Sequence, residues 1–265
     1  MPLLGRQPEV SDFLSRYAST LASPTAIVVI TAHWIEESDA IAVSAGDSYA
    51  SLLFDYSGFP SETYKYKYAA PGSPTVAEQI CELLRVDGIA CRKDTKREWD
   101  HGVFVPLMLL YPKAEIPVVA MSLHHSLDPA YHLRIGKAIS SLRDSGVLII
   151  GSGASFHNFD YIFTSDANKR KEGIKHSHVF NDYICDTLTS GKYSTEEQIE
   201  KLKRIYEAPS ARICNKPREE EHLVPLLVVA GAGLASASDA NAGTCRAVGP
   251  SFDHNNFAVA NLEWK

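Results

Sequence analysis

The chain has 265 residues, of which 45% are hydrophobic and 22% are charged, and this composition is ordinary for a globular protein. A formal net charge of −6 and a pI near 5.9 exclude the electrostatic footprint expected of a nucleic-acid-binding protein. The length allows one large α/β domain or two small ones. We expect a single domain over 1–265, because no linker is long enough to separate two parts.

The cysteines, the apolar runs and the N-terminal residues indicate the expected cellular location of the protein. The five cysteines contain no Cys-x-x-Cys pair, and their odd number favours reduced thiols over a disulfide scaffold. The longest apolar runs, such as 224–230, are too short to span a bilayer. The first residues lack a signal-peptide pattern. We therefore expect a cytoplasmic protein that engages neither a membrane nor nucleic acid.

Predicted helices and strands alternate in the first half of the chain. Residues 8–21 carry apolar side chains at helical spacing, which predicts an amphipathic helix. The unbroken run 26–32 is rich in β-branched residues and predicts a strand buried on both faces. The elements expected next are a strand at 40–44, a loop rich in Gly, Pro and Tyr at 54–74, a helix at 76–84 and a strand near 88–91.

The second half continues the alternation. Further buried strands are predicted at 116–123 and 146–151, with a crossover helix at 130–142 between them. The remaining predicted elements are helices at 178–187, 195–206 and 222–230 and antiparallel edge strands at 245–248 and 256–262. This order predicts an α/β fold with a mixed, largely parallel central sheet flanked by helices.

Four of the ten histidines stand where elements begin or end. His33 closes the first buried strand, and His157 follows a later strand and its Gly-rich turn. His101 precedes the apolar stretch 103–110, and His222 begins a helix after three glutamates. Ligands of open α/β sheets bind outside the carboxyl ends of strands, and imidazole serves both as metal ligand and as acid/base. A lone histidine is more often structural, but together these four favour a shared site.

The other histidines and the competing motifs give weaker evidence for a functional site. His124 and His125 follow a strand, which leaves a role at the rim of a site open, but we expect solvent exposure for most of the remaining six. The segment 151–155 lacks the Gly-x-Ser-x-Gly frame of a nucleophile elbow. The segment 231–235 lacks the acidic residue of a dinucleotide fingerprint, and neither a phosphate loop nor a His-Glu-x-x-His motif occurs.

A series of short motifs does point to one family. In chain order these are Thr31-Ala-His33-Trp34, Gly58-Phe-Pro60, Tyr68-Ala-Ala-Pro-Gly-Ser-Pro74, Asp100-His-Gly102 with Val105-Pro-Leu107, Ser152-Gly153 through His157-Asn158, and Glu221-His222-Leu-Val-Pro225. With them the chain resembles the class III extradiol ring-cleavage dioxygenases, in particular the DOPA 4,5-dioxygenase branch. The resemblance runs from the first residues to about Gly233.

The resemblance implies a non-haem Fe(II) enzyme that opens a small catechol beside its two hydroxyls and inserts both atoms of O2. Zn(II) is the alternative for the bound metal. His33 and His222 are similar to metal ligands of the family, and His157 to a residue assigned either as a further ligand or as the acid/base. His101 resembles a second catalytic histidine. Glu221 is a candidate carboxylate that would complete a two-histidine, one-carboxylate set.

The substrate pocket is less defined. Tyr64, Tyr68 and His125 are candidates to line the space for the catechol ring. The alternative for each tyrosine is packing within its loop, which is the more common role for any single one. Oligomeric state is left open by the sequence.

Two departures from the family pattern affect these expectations. Family members carry a Ser-His-Gly tract, with a metal-ligand histidine, upstream of a segment like Pro2-Leu-Leu-Gly5; Met1 stands where that tract would already have ended, so we expect the first strand and one ligand to be missing. The segment 158–161 lacks the His-Pro-Ser signature of the pigment-forming plant enzymes, which makes DOPA itself doubtful as substrate. Two alternatives stay open, a non-catalytic metal-binding or redox member of the superfamily and a zinc-dependent hydrolase.

Overall fold

The computed structural model of the chain describes residues 8–49, 51–235, 243–249, 252–254 and 257–264. The chain forms two compact units. The first consists of Met1–Ser126 and Ala138–Ser152, and the second of Leu127–Lys137 and Gly153–Lys265. The expectation of a single domain over the whole chain stays a prediction.

The first unit contains a five-stranded sheet. Its strands are β1 (Ala26–Glu36), β2 (Ile41–Ser44), β3 (Cys91–Asp94), β4 (Val118–His124) and β5 (Val147–Ser152). Their order in the sheet is β3-β2-β4-β1-β5. β1 is parallel to both of its neighbours and β2 is parallel to β3, whereas β2 and β4 are antiparallel. The predicted α/β fold with a mixed, largely parallel sheet is confirmed.

Helices pack against this sheet. They are α1 (Pro8–Tyr17), α2 (Pro74–Val86) and α3 (His101–Leu110). α3 contacts α1, β1 and β5, and α2 contacts β2 and β3. The apolar run at the start of β1 is fully buried, as expected of a strand covered on both faces. Trp99, Phe104 and Leu107 fill one part of the core beside it.

β1 continues past its predicted end at residue 32, so His33 lies within the strand and not after it. The pairing of β1 with β4 is nevertheless irregular at this point. Ile30 lies opposite Met121, whereas Ile35 lies opposite Leu123, so the register shifts between these two pairs. A bulge of this kind bends a strand and re-aims its side chains, and such irregularities are common beside active sites. His33 is therefore on the stretch of β1 that leaves the regular ladder.

The second unit is mainly helical in the residues described. Its elements are α4 (Pro129–Ala138), α5 (Phe159–Ile162), α6 (Ala167–Thr189), α7 (Thr195–Lys203), α8 (Ala211–Cys214), α9 (Val224–Leu234), β6 (Cys245–Ala247), β7 (Phe252–His254), β8 (Phe257–Val259) and β9 (Leu262–Trp264). The strands form two small antiparallel pairs, β6 with β9 and β7 with β8, and not the edges of the central sheet. The predicted strand at 256–262 is thus divided between β8 and β9, and its first residue lies outside the described part of the chain.

Two expectations about individual residues were wrong. Cys81 of α2 and Cys91 of β3 form a disulfide, with Cα atoms 5.3 Å apart, so these two thiols are not reduced. Their separation in the chain lacks a Cys-x-x-Cys signature, and only the packing of α2 on β3 brings them together. Of the six remaining histidines, most of which were expected to be exposed, His124 and His132 are buried, and the exposure of His254 lies outside what the structure describes. Within the described residues, no helix has both the length and the apolar character needed to cross a membrane.

Candidate active site

In the first unit, a carboxylate joins two of the predicted site histidines. Asp55 Oδ2 lies 3.0 Å from Nδ1 of His33, and Asp55 Oδ1 lies 2.7 Å from Nδ1 of His101. The same Oδ1 accepts a hydrogen bond from the backbone N–H of His101 at 3.1 Å. The two imidazole rings meet edge to face, with centroids 3.9 Å apart. These three residues also form one of the groups whose ligand atoms lie close enough to hold a metal ion.

The charge state of Asp55 follows from these contacts. Burial raises the pKa of the Asp55 carboxyl, but the hydrogen bonds from His101 and His33 more than offset this, so its pKa lies well below the ordinary value. Asp55 is therefore a carboxylate, which accepts hydrogen bonds and donates none. Each ring must present Nδ1–H to it, which assigns Nε2 as the nitrogen of His33 that a metal would take. A carboxylate behind a ligating histidine is a common arrangement at metal sites.

A hydrogen-bonded network holds the backbone around this group. The Asp100 carboxylate accepts from the Thr31 hydroxyl at 2.7 Å and caps α3 by accepting from the backbone N–H of Gly102 at 3.0 Å. Thr31 Oγ1 accepts from the backbone N–H of His33 at 3.2 Å. Arg97 donates to the His33 carbonyl at 3.1 Å and to Asp100 at 3.3 Å. The start of α3, which carries His101, is thereby tied to the irregular stretch of β1, which carries His33.

The second unit brings three further predicted residues together. The rings of His157 and His222 stack almost parallel, with centroids 3.4 Å apart and an interplanar angle of 19°. Glu221 Oε1 lies 3.5 Å from His157 Nδ1 and 4.0 Å from His222 Nε2. Their ligand atoms also lie close enough together to hold a metal ion. The set contains two imidazoles and one carboxylate, the donor set of many non-haem Fe(II) oxygenases.

Backbone contacts fix this second group. The Ala154 N–H donates to the His222 carbonyl at 2.8 Å, and the His157 N–H donates to the Cys214 carbonyl at 3.0 Å. A Cβ atom at Gly153 would come within 2.1 Å of the His222 carbonyl oxygen, so only glycine permits this close approach. Next along the chain, α9 begins at Val224, so His222 lies just before the helix and not at its first residue as predicted.

An aromatic side chain adjoins each group. The rings of His101 and Tyr56 meet edge to face, with centroids 5.4 Å apart. In the second unit, the Phe159 ring meets the His157 ring edge to face, with centroids 4.5 Å apart. The Phe159 ring also contacts the Phe163 ring, with centroids 5.1 Å apart. Phe159 and Phe163 are 51% and 76% exposed, which is unusual for phenylalanine and leaves apolar ring surface beside His157.

The candidate pocket residues occupy different places. Tyr68 is buried in the core, and its hydroxyl donates to the Tyr111 carbonyl at 3.1 Å; burial raises the pKa of Tyr68 to about 12. Tyr64 donates to the Tyr56 carbonyl at 3.3 Å. These contacts favour loop packing for both tyrosines. His125 lies in a third group, with Asp39 and His124. The pocket assignment of all three stays a prediction.

Sequence reasoning missed Asp55. It lies in the loop 54–74, which has no helical or strand periodicity, and its partners are distant in the chain. The available signal was its position just upstream of the Gly58-Phe-Pro60 motif.

Comparisons with known proteins show which family the chain is similar to. Residues 9–249 match the family described as the catalytic LigB subunit of aromatic ring-opening dioxygenase. The chain is 39% identical to "Dioxygenase tasH" of Hapsidospora irregularis, in an alignment covering 79% of this chain but 64% of the relative. It is 38% identical to a "4,5-DOPA dioxygenase extradiol" of Beta vulgaris, with 79% and 73% covered. A protein of the same name from Escherichia coli K12 is 31% identical, with 80% and 74% covered.

A solved structure is also similar. The crystal structure of uncharacterized protein JW3007 from Escherichia coli K12 superposes with a TM-score of 0.73 at 25% sequence identity, covering 96% of this chain and 92% of that one.

The fold and the family match define the class: the chain belongs to the LigB family of aromatic ring-opening dioxygenases. Within that class it falls in the class III extradiol family, as the sequence motifs predicted. The predicted enzyme class, an aromatic ring-opening dioxygenase, is confirmed.

Proposed function

We propose that this chain opens the aromatic ring of a small, DOPA-like catechol with O2, using non-haem Fe(II). The observation that carries the proposal is the carboxylate of Asp55 bridging His33 and His101 in a member of the LigB family. A donor set that fits the metal, two imidazoles and a carboxylate, occurs in the group of His157, Glu221 and His222. We assign His33 and His222 as metal ligands.

The bound iron would supply Lewis acidity toward the catechol hydroxyls and pass charge between the substrate and O2. The chain must meanwhile accept the protons that the hydroxyls lose. His101 is our candidate base, because Asp55 holds its Nδ1–H and directs Nε2 as the acceptor. Asp55 stays an anion and fixes the orientation of both rings.

His157 is our candidate for the acid that returns a proton to the opened product. Its Nδ1 faces the Glu221 carboxylate, which would stabilise the ring while it carries a proton. Glu221 lies 3.5 Å from that nitrogen, a distance that suits electrostatic support more than a direct hydrogen bond. We assign Glu221 either this role or that of a carboxylate ligand, and metal content of a Glu221→Gln variant separates the two: loss of metal supports the ligand role.

The substrate class follows from the exposed rings. Phe159 and Phe163 offer apolar surface beside His157, which favours an aromatic ring that stacks on them. The segment 158–161 lacks the His-Pro-Ser signature of the pigment-forming plant enzymes. We therefore rank catechols with apolar side chains above DOPA.

The test is anaerobic loading with Fe(II), followed by addition of a catechol and air-saturated buffer. We expect one O2 consumed per ring opened and a yellow product. His33→Ala and His222→Ala should abolish both signals, whereas His178→Ala, which removes an exposed histidine on α6, should not. O2 uptake that fails with catechol, 4-methylcatechol and DOPA alike, in protein that retains iron, would contradict the proposal and leave the non-catalytic alternative.

A further inference from the structure

A third group of metal-ligating side chains lies apart from those described above. It consists of Asp39, in the turn between β1 and β2, and His124 and His125, at the end of β4. Consecutive residues of a strand point to opposite faces of a sheet. Here the chain turns after His124, so that the two imidazoles pack against each other, with centroids 4.2 Å apart and an interplanar angle of 33°. Two adjacent histidines thus present their rings on one side.

The distances suit a tetrahedral ion. Asp39 Oδ1 lies 3.1 Å from His125 Nε2 and 3.9 Å from His124 Nε2. Ligand atoms about 2.0–2.1 Å from a tetrahedral Zn²⁺ are separated by roughly 3.3–3.5 Å. The two observed distances bracket this value. Asp39 is 96% exposed and His125 is 44% exposed, so both can adjust to an ion without repacking the core.

The surroundings orient the one buried ligand. His124 Nδ1 lies 2.8 Å from the Ser126 hydroxyl and accepts a hydrogen bond from the Ser126 backbone N–H at 3.2 Å. These contacts hold the ring so that Nε2, which lies 3.9 Å from Asp39 Oδ1, is the nitrogen that faces the proposed site. Glu36, the β1 residue opposite His124, is already paired, because Arg92 donates to its carboxylate through Nε at 3.0 Å and through Nη2 at 2.5 Å.

We propose that Asp39, His124 and His125 bind one divalent transition-metal ion of the zinc class, with water as the fourth ligand. The ion ties the turn between β1 and β2 to the end of β4, where Glu36 and His124 are paired. The role of this ion is structural, and the proposal does not depend on the ring-opening activity.

The experiment uses Co²⁺, whose visible spectrum reports tetrahedral coordination, as the probe. The full chain carrying His33→Ala and His222→Ala is first stripped of metal, which removes the ligands assigned to the catalytic metal. We expect one equivalent of Co²⁺ to bind with a tetrahedral spectrum. Adding His125→Ala or Asp39→Asn should weaken binding more than roughly tenfold. His178→Ala on the same background is the matched control.

A second readout guards against misfolding of the background variant. In the otherwise unaltered chain, Asp39→Asn combined with His125→Ala should lower the bound metal by one equivalent after loading with Zn²⁺, and circular dichroism should show the same fold. The proposal is overturned if these substitutions leave stoichiometry and affinity unchanged. It is also overturned if Co²⁺ binds without an end point, because that result would indicate adventitious binding by surface histidines.

Discussion

Replacing Asp55 by asparagine isolates the role of its charge, because the two side chains have nearly the same shape. Asp55 Oδ1 accepts from both Nδ1 and the backbone N–H of His101, so the single amide oxygen should remain there. The amide NH2 then faces His33 Nδ1 at the position now 3.0 Å away. Since two donors cannot bond, His33 must accept at Nδ1 and carry its proton on Nε2. That tautomer cannot ligate a metal through Nε2.

The size of the effect follows from losing this orientation. Removing the outer partner of a ligating histidine typically costs about 10- to 100-fold in metal affinity, equivalent to about 1.4–2.8 kcal/mol. We expect this loss when Fe(II) or Co²⁺ is titrated anaerobically and followed by calorimetry, with a parallel fall in ring opening. Asp182→Asn on α6 changes the net charge equally at an exposed position and should leave the metal affinity unchanged. Unaltered affinity in Asp55→Asn would refute the assignment of Asp55 as the residue that orients His33.

Three further predictions concern packing, thiols and pH. Gly102→Ala should reduce activity and stability, because its Cβ would lie 2.5 Å from Thr31 Oγ1 and 3.1 Å from His33 Cδ2. This clash should outweigh the preference of helices for alanine, which is about 1 kcal/mol. Thermal unfolding and O2 uptake that show a stabilised, fully active variant would contradict this prediction. Burial raises the pKa of Cys214 and of Cys245 to about 12, so about 1 in 10,000 of these thiols is ionised at pH 8. A disulfide-exchange reagent should therefore label both thiols slowly until the protein unfolds. Fast labelling of the folded protein would contradict this. Burial raises the pKa of Asp94, but hydrogen bonds from Lys96, Arg97 and Arg92 lower it overall, so this carboxylate stabilises the fold above its unfolded pKa and loses that contribution as pH falls. Asp94→Asn should therefore cost about 1 kcal/mol near pH 7 and almost nothing in strong acid, and urea unfolding showing an equal loss at both would count against the assignment.

The parts of the fold that the sequence predicted are those with a local signal. The β-branched run of β1 and the apolar runs of β4 and β5 require burial on both faces, and only a covered parallel sheet supplies it. The sequence shows an apolar stretch at α3 but does not predict a helix there, because a helix buried on nearly every side has no amphipathic period. α6 begins well before its predicted start, because its first turns are polar and face solvent.

The site residues that the sequence predicted are likewise those with a local signal. His33, His101, His157 and His222 were recognised because each adjoins a motif or the end of an element. Asp55, the disulfide between Cys81 and Cys91, and the burial of His124 depend on which distant segments pack together, and no local pattern encodes that. The bulge of β1 at His33 is likewise a property of its pairing with β4.

The most direct test of the proposed ring opening is the fate of isotopically labelled O2. Iron-loaded protein is supplied with a catechol and labelled dioxygen, the product is reduced at once to trap its aldehyde, and mass spectrometry counts the labelled oxygen atoms. Extradiol cleavage predicts a ring-opened product with one labelled oxygen in the new carboxylate and one in the trapped aldehyde. An unopened ortho-quinone, or a product whose added oxygen comes from water, would contradict the proposed function.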